Sequence, residues 1–220
     1  MSTTPRIFLV HAVDVSMAPA SNSFKKLWPE ASIVNLLDES LAIDMLADGK
    51  MTPRMVERFA RLGQYCVDAG ADAILFTCSA VGEAINNLKT LQRIPILTPN
   101  QALFEELLQI GGKAAMLTTF TPSVQALRSE LSDMAANLGL KPDVHSFMVE
   151  GALDELLAQR GHEHDRLIAQ RVNGLSEYPT IVLGQFSMAQ AALHPEIKSS
   201  ARILTTPDCA VRKLKGLLGV

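Results

Sequence analysis

The feature that most constrains this chain is an internal repeat. Ala73-Ile74-Leu75-Phe76-Thr77-Cys78-Ser79-Ala80-Val81-Gly82 reads as a short buried strand running into small residues that open a helix. Thr180-Ile181-Val182-Leu183-Gly184-Gln185-Phe186-Ser187-Met188-Ala189 is a worn second copy. Gln185 stands 107 residues after Cys78 (185 − 78). The same spacing matches Ile96-Leu97-Thr98 to Ile203-Leu204-Thr205, and Arg6-Ile7-Phe8 to Lys113-Ala114-Ala115. Separate segments sharing one register imply two copies of one structural unit.

The rest of the pattern supplies the unit. Apolar runs at Ile7–Val10, Ser32–Leu37, Ala73–Phe76 and Arg93–Leu97 predict strands in the first half. Ala114–Leu117, Val144–Met148, Thr180–Leu183 and Arg202–Leu204 predict them in the second. Between them, Thr52-Pro53 starts a helix with proline at its first position and Gly70 ends it. Met55, Phe59, Leu62 and Cys66 share one face of that helix. Pro19, Asn22 and Pro29 mark a loop or short helix, and helices are expected near 81–89, from Thr98-Pro99-Asn100 onward, and near 122–137, 150–159, 163–175, 187–193 and 207–217. Strands alternating with helices over short connections predict an α/β fold with mostly parallel sheets covered on both faces. The expectation is two pseudo-symmetric lobes, each a four-stranded sheet, with residues 1–98 plus 206–220 forming one and 99–205 the other. Ligands bind outside the carboxyl ends of such strands, where His11, Cys78, Thr118 and Gln185 fall, so a cleft between the lobes is the expected site.

Composition narrows the function classes. A formal net charge of −3 and the lack of any basic run interleaved with aromatics argue against nucleic acid as partner. No apolar run approaches the roughly 18 residues that span a bilayer, and Met1 to Arg6 lead straight into a strand rather than forming a signal peptide. Three cysteines make no disulfide framework and suit a reducing compartment, so a cytoplasmic protein is expected. His162-Glu163-His164-Asp165 lacks a useful ligand spacing and sits where acidic residues favour a helix start, so no metal is expected there.

Cys78 is the residue with the most chemistry to offer. Ahead of a helix N-terminus, backbone N–H groups and the helix dipole favour negative charge and draw a thiol pKa from about 8.5 toward roughly 3.5–7.5. A thiolate so placed can take a proton from carbon or attack carbon covalently. Free cysteine is also commonly a buried small apolar strand residue, but the position of Cys78 at a strand end favours the functional reading. The small residues Ser79 and Ala80 leave room for a substrate carboxylate to reach backbone amides. Cys66, on an apolar helix face, reads as core, and Cys209 corresponds to Ala102 in the repeat (209 − 107), away from the Cys78 position. Thr118-Thr119-Phe120-Thr121-Pro122-Ser123 is the counterpart of His11-Ala12-Val13-Asp14-Val15-Ser16. Its hydroxyls can hold an anion with backbone amides or cap a helix through Thr121 or Ser123. His11 and Asp14 can orient or deprotonate Cys78, or simply bond locally.

At Phe76-Thr77-Cys78-Ser79-Ala80 and Leu183-Gly184-Gln185-Phe186-Ser187 the chain resembles the aspartate/glutamate/hydantoin racemase superfamily, over essentially its whole length. The resemblance implies a cofactor-independent enzyme in which one cysteine from each lobe works across a cleft, one removing an α-proton and the other delivering one. Arylmalonate decarboxylase and maleate isomerase look like relatives on the same scaffold. Carried over, Cys78 matches the first-lobe cysteine, Ser79 and Ala80 the carboxylate-binding turn, and Thr118, Thr119, Phe120 and Thr121 the second lobe's threonine-bearing loop. Gln185 stands where two-base racemases have their second cysteine, with Phe186 and Ser187 beside it. Glutamine does not titrate, so it cannot be the second acid. The resemblance thus implies an isomerase-type enzyme on a small carboxylate or amino acid with Cys78 as base or nucleophile. Decarboxylation or C–C cleavage on that scaffold, and binding of a small carboxylate without turnover, stay open beside it. A homodimer is compatible with the resemblance.

Overall fold

The computed structural model describes residues 4–78 and 82–219. In chain order the elements are β1 (Arg6–His11), α1 (Met17–Leu27), β2 (Ser32–Leu37), α2 (Ser40–Asp48), α3 (Pro53–Asp68), β3 (Ala73–Phe76), α4 (Gly82–Leu91), β4 (Ile96–Leu97) and α5 (Gln101–Ile110). They continue with β5 (Lys113–Thr118), α6 (Thr121–Asn137), β6 (Asp143–Met148), α7 (Ala152–Leu157), α8 (Gly161–Asn173), β7 (Thr180–Leu183), β8 (Arg202–Thr205) and α9 (Thr206–Leu217). Single 3₁₀ segments cover Asp14–Ser16 and Phe186–Leu193.

The strands form two separate four-stranded sheets, ordered β2-β1-β3-β4 and β6-β5-β7-β8, and every pairing is parallel. The two sheets repeat the same register. Ile7 pairs with Ala73 and Ala114 with Thr180; Ile74 pairs with Ile96 and Ile181 with Ile203. Each of these residues lies 107 positions before its counterpart (114 − 7, 180 − 73), so the spacing read from sequence is the spacing of the two sheets. β1 and β5 are buried on both faces beyond their first residue, as central strands of a parallel sheet require. Residue contacts divide the chain into two compact units, Met1–Ala102 with Ala210–Val220, and Leu103–Cys209.

In the first unit the core gathers Phe8, Val10, Leu41, Phe59, Cys66, Ile74, Phe76, Ile85, Leu88 and Ile96. Helix α3 supplies much of it. Thr52 caps its start by accepting the Met55 N–H, Pro53 occupies the first turn, and Met55, Phe59, Gly63 and Cys66 face inward. Gly63 permits the close approach of α3 to its neighbours: a Cβ there would fall 2.1 Å from Leu88 Cδ2 and 3.3 Å from Phe76 Cζ. The helix ends with Gly70 at φ +81 and an Ala71 N–H bond back to Cys66 O, the left-handed turn that only glycine adopts cheaply. The second unit packs Ala115, Leu117, Ile168, Val172, Tyr178, Ile181, Leu183 and Met188 in the equivalent place.

The structure refines the expected elements in four places. The stretch marked by Pro19 and Asn22 is an 11-residue helix, because Pro19 sits in the first turn, where its missing N–H has no partner to lose. Helix α2 lay unnoticed between β2 and α3. The strand expected over 93–97 pairs only at Ile96–Leu97, although the Pro95 carbonyl still accepts the Ile74 N–H; proline has no N–H to add to the ladder. The helix expected over 150–159 is confined to Ala152–Leu157, since Gly151 (φ +74) and Gln159 (φ +59) both leave helical backbone geometry. No helix among the described residues is long and apolar enough to cross a membrane.

Candidate active site

In a parallel sheet ordered 2-1-3-4, the chain leaves β1 and β3 in opposite directions, and the carboxyl ends of those two strands form the switch point where ligands bind. In the first unit this point carries His11 at the end of β1 and Thr77-Cys78 just after β3. In the second it carries Thr118 at the end of β5 and Gly184-Gln185 just after β7. Thr77 N–H bonds to Val10 O and Gly184 N–H to Leu117 O, both at 3.0 Å, so Cys78 and Gln185 leave their sheets at equivalent places.

His11 is 0% exposed and both ring nitrogens are engaged. Asn35 Oδ1 lies 3.0 Å from Nε2. Two hydroxyls reach Nδ1, Ser16 Oγ and Thr77 Oγ1, each at 2.9 Å, and they stand 3.0 Å from one another. Ser16 also reaches Val13 O and Thr77 reaches Val10 O. Burial holds the imidazole pKa below its ordinary value, with the Asn35 bond opposing that shift in part. The ring is therefore a neutral clamp that fastens the turn after β1 and the polar strand residue Asn35 onto Thr77, the neighbour of Cys78. Ser16 and Asn35 were not singled out as site residues from the sequence. Asn35 had a signal, a lone polar residue inside the apolar run Ile33-Val34-Asn35-Leu36.

Cys78 is partly exposed and rests against the first unit's core. Three residues lie between it and Gly82, where α4 begins; Ser79, Ala80 and Val81 lie outside the described residues. The other thiols are shut in. Cys66 is 0% exposed, with burial pushing its pKa up to about 12, and Cys209 is 1% exposed. None of the three forms a disulfide.

The second unit holds an amide instead. Gln185 Oε1 accepts the Thr119 backbone N–H at 2.7 Å and the Thr119 hydroxyl at 3.1 Å. Thr118 is buried with its hydroxyl toward Met148 Sδ (3.8 Å), and Phe186 is buried, which removes both side chains from solvent contact. Phe120 and Thr121 are exposed and Ser187 is partly so. The hydroxyls of this loop do not cap α6: its N-cap is Phe120, and no side chain accepts there. Gly184 occupies the place of Thr77, and a Cβ there would sit 3.1 Å from Leu117 O and 2.9 Å from Leu127 Cδ1.

Beside the first switch point, Arg58 donates to Asp38 (3.0 Å), Asp44 (2.5 Å) and Ser40, fastening α2 to α3. Burial acts to raise the Asp38 pKa, but bonds from Ser40 and Arg58 and the guanidinium charge outweigh it and hold the carboxyl below its ordinary value. Elsewhere, Glu163 pairs with Arg166 and His164 Nδ1 with Asp165 (2.8 Å), and no group of three or more metal-ligating side chains is gathered among the described residues. A hollow of about 690 Å³ lined by Asn173, Tyr178 and Lys198 lies at the amino ends of β7 and β8, the opposite edge of that sheet from Gln185. Its Asn173 amide is occupied by Glu196 O and Lys198 N–H.

Comparison with solved structures places this architecture among racemases. An aspartate racemase from Picrophilus torridus superimposes with a TM-score of 0.71 at 11% identity, covering 96% of this chain and 93% of that one. Allantoin racemase from Klebsiella pneumoniae gives 0.71 at 14% identity, covering 97% and 87%. An aspartate racemase homologue from Pyrococcus horikoshii OT3 gives 0.69 at 14% identity, covering 99% and 100%. At these identities the likeness establishes the fold. A comparison with curated proteins gives no match. Residues 27–214 match the family described as Asp/Glu/Hydantoin racemase, well over half of the chain, and to that family the chain belongs.

Proposed function

We propose that this protein is a cofactor-independent enzyme acting on a small carboxylate, with Cys78 as its sole thiol base or nucleophile. Family membership supports a racemase- or isomerase-type enzyme at the coarse level. The finer reading rests on one observation: at equivalent switch points one unit offers the partly exposed thiol of Cys78 and the other offers the Gln185 amide, bonded to Thr119. An amide neither gives up nor takes a proton near neutral pH, so of these two side chains only Cys78 can transfer one.

One-sided chemistry has two balanced forms. In the first, the Cys78 thiolate removes the α-proton, the C–H electron pair enters the carboxylate-stabilised enolate, and the S–H, after exchanging with water, returns a solvent proton to the same face, an α-hydrogen exchange without net product. In the second, a malonate-type substrate loses CO₂, the C–C electron pair forms the enolate, and the Cys78 S–H protonates carbon before regaining a proton from water. The second form accounts better for a site with one titrating side. In both, backbone amides near Ser79 and Ala80 would hold the developing charge.

The test is incubation in deuterated water with amino acids, malonates and maleate-type acids. Deuterium entering Cα with chirality retained, or stereospecific deuteration during CO₂ loss, is the expected result. Loss of chirality at the rate of exchange would require a second acid and overturn the one-base reading. Ligand binding without exchange or turnover across the panel would mark a binding protein instead.

A further inference from the structure

Asn173 is the last residue of α8, and Gly174 follows it. Its carboxamide reaches the segment that joins the 3₁₀ stretch Phe186–Leu193 to β8. Nδ2 donates to Glu196 O and Oδ1 accepts the Lys198 N–H, both at 2.8 Å. A carbonyl only accepts and a backbone N–H only donates, so the two partners fix the sense of the amide. The other bonds of this segment are local: Glu196 N–H to His194 Nδ1, Ile197 N–H to His194 O, and Ala201 N–H to Ser199 Oγ. Among the described residues, Asn173 therefore makes both hydrogen bonds that tie 195–200 to another element. Asn173, Lys198, Ser199 and Ser200 also wall the hollow at the amino ends of β7 and β8.

An asparagine followed by glycine carries its own modifying chemistry. The Gly174 nitrogen, giving up its proton, attacks Asn173 Cγ. The Cγ–Nδ2 bond breaks with its electron pair going to nitrogen, which takes a proton and leaves as ammonia. Water then opens the cyclic imide to aspartate or isoaspartate. Glycine allows the attack because no side chain crowds its nitrogen. The fold opposes it. The Gly174 N–H is held by Gln170 O and Arg171 O, Asn173 is helical and must leave that geometry for the ring to close, and the carboxamide is drawn away toward Glu196 and Lys198.

From this geometry we infer that Asn173-Gly174 is a latent deamidation site, closed while Asn173 grips Glu196 and Lys198, and that its conversion frees the wall of the hollow irreversibly. Aspartate at 173 keeps the Lys198 bond but sets a carboxylate oxygen against the Glu196 carbonyl, and its charge opposes the helix dipole at the end of α8. Isoaspartate lengthens the main chain there as well.

The experiment ages the full chain at pH 8, folded and in urea, and follows Asn173 by peptide mass spectrometry. Hydrogen exchange then compares wild type with Asn173→Asp. Conversion should run about tenfold or more slower in the folded chain, which reacts only during local opening. In N173D, exchange of the Ile197 and Lys198 N–H groups should quicken about tenfold or more while β5 and β7 keep their protection. Equal conversion in the folded chain and in urea, or conversion in neither, would overturn the inference. So would exchange over 194–201 that is unchanged in N173D, or that quickens equally across the whole second unit.

Discussion

The two strand-end sites of this molecule are built on the same backbone and filled with different chemistry. In the first unit His11, Ser16 and Thr77 bond to one another in the interior, His11 also reaches the exposed Asn35, and Cys78 follows Thr77. In the second, Thr118 replaces His11, Gly184 replaces Thr77 and Ser146 takes the register position of Asn35, opposite Met116 as Asn35 is opposite Leu9. Among the described residues no such network forms there, and Ser146 Oγ is buried with no partner. The polar contact moves outward instead, to Gln185 on Thr119. Duplicating a fold therefore preserved the ladder that delivers a residue to the switch point, while the residue delivered and its support diverged.

Substitutions at matched positions test this contrast. Cys78→Ser should lower turnover by about 10²- to 10⁴-fold, the usual worth of a positioned acid–base group, while Cys66→Ala and Cys209→Ala should change stability and leave the chemistry in place. Steady-state rates on the best substrate of the panel decide it, and near-equal rates for Cys78→Ser would end the claim that the two sites differ in reactivity.

His11→Leu comes next, with an expected loss of about 1–3 kcal/mol because Asn35, Ser16 and Thr77 lose a buried partner. It should also change the pH profile. A ring held neutral by burial binds its proton less readily folded than unfolded, so its contribution is full above the ordinary value of 6.5 and is lost as pH falls below that. Urea unfolding between pH 5 and 8 should show this slope in the wild type and a shallower one in the variant. Thr118→Leu, at the matched place, should show no such change in slope.

Gly184→Ala should destabilise by about 1–2 kcal/mol, since the new methyl meets the Leu117 carbonyl as well as the tip of Leu127; thermal melts report it. The smallest effect belongs to Asp38→Asn, under about 1 kcal/mol for a partly exposed ion pair. A carboxyl held below its ordinary value stabilises at neutral pH and loses that contribution as pH falls below the ordinary value of 3.8, so the difference between wild type and variant should shrink with further acidification.

The sheets were legible because each strand announces itself twice, and a strand found weakly in one half is confirmed by its partner in the other. Helix α3 was legible from Thr52, Pro53 and Gly70. By contrast, the exposed Ile43 and Leu46 of α2 blur the apolar stripe that would have revealed it, although α7 stands at the equivalent place between β6 and α8. In the site, Cys78 and Gln185 could be found because the repeat aligns them. The His11 clamp could be suspected but not assembled. Whether His11, Ser16, Asn35 and Thr77 touch depends on the order of strands in the sheet, and side-by-side placement of β2, β1 and β3 is not written in the spacing of apolar residues. The sense of the Gln185 amide was likewise out of reach, because it depends on which backbone N–H stands opposite.

The division of the chain has a consequence for its birth. Leu103–Cys209 is one unbroken stretch, whereas the unit bearing Cys78 is assembled from Met1–Ala102 and the closing residues of α9, where Leu214 is buried and Lys215 Nζ reaches Leu27 O at 3.4 Å. On the ribosome the later-born middle can therefore finish folding while the portion made first still waits for its last helix to emerge. The thiol-bearing unit thus begins to emerge first and, waiting for α9, finishes folding after the unit that is made in one stretch.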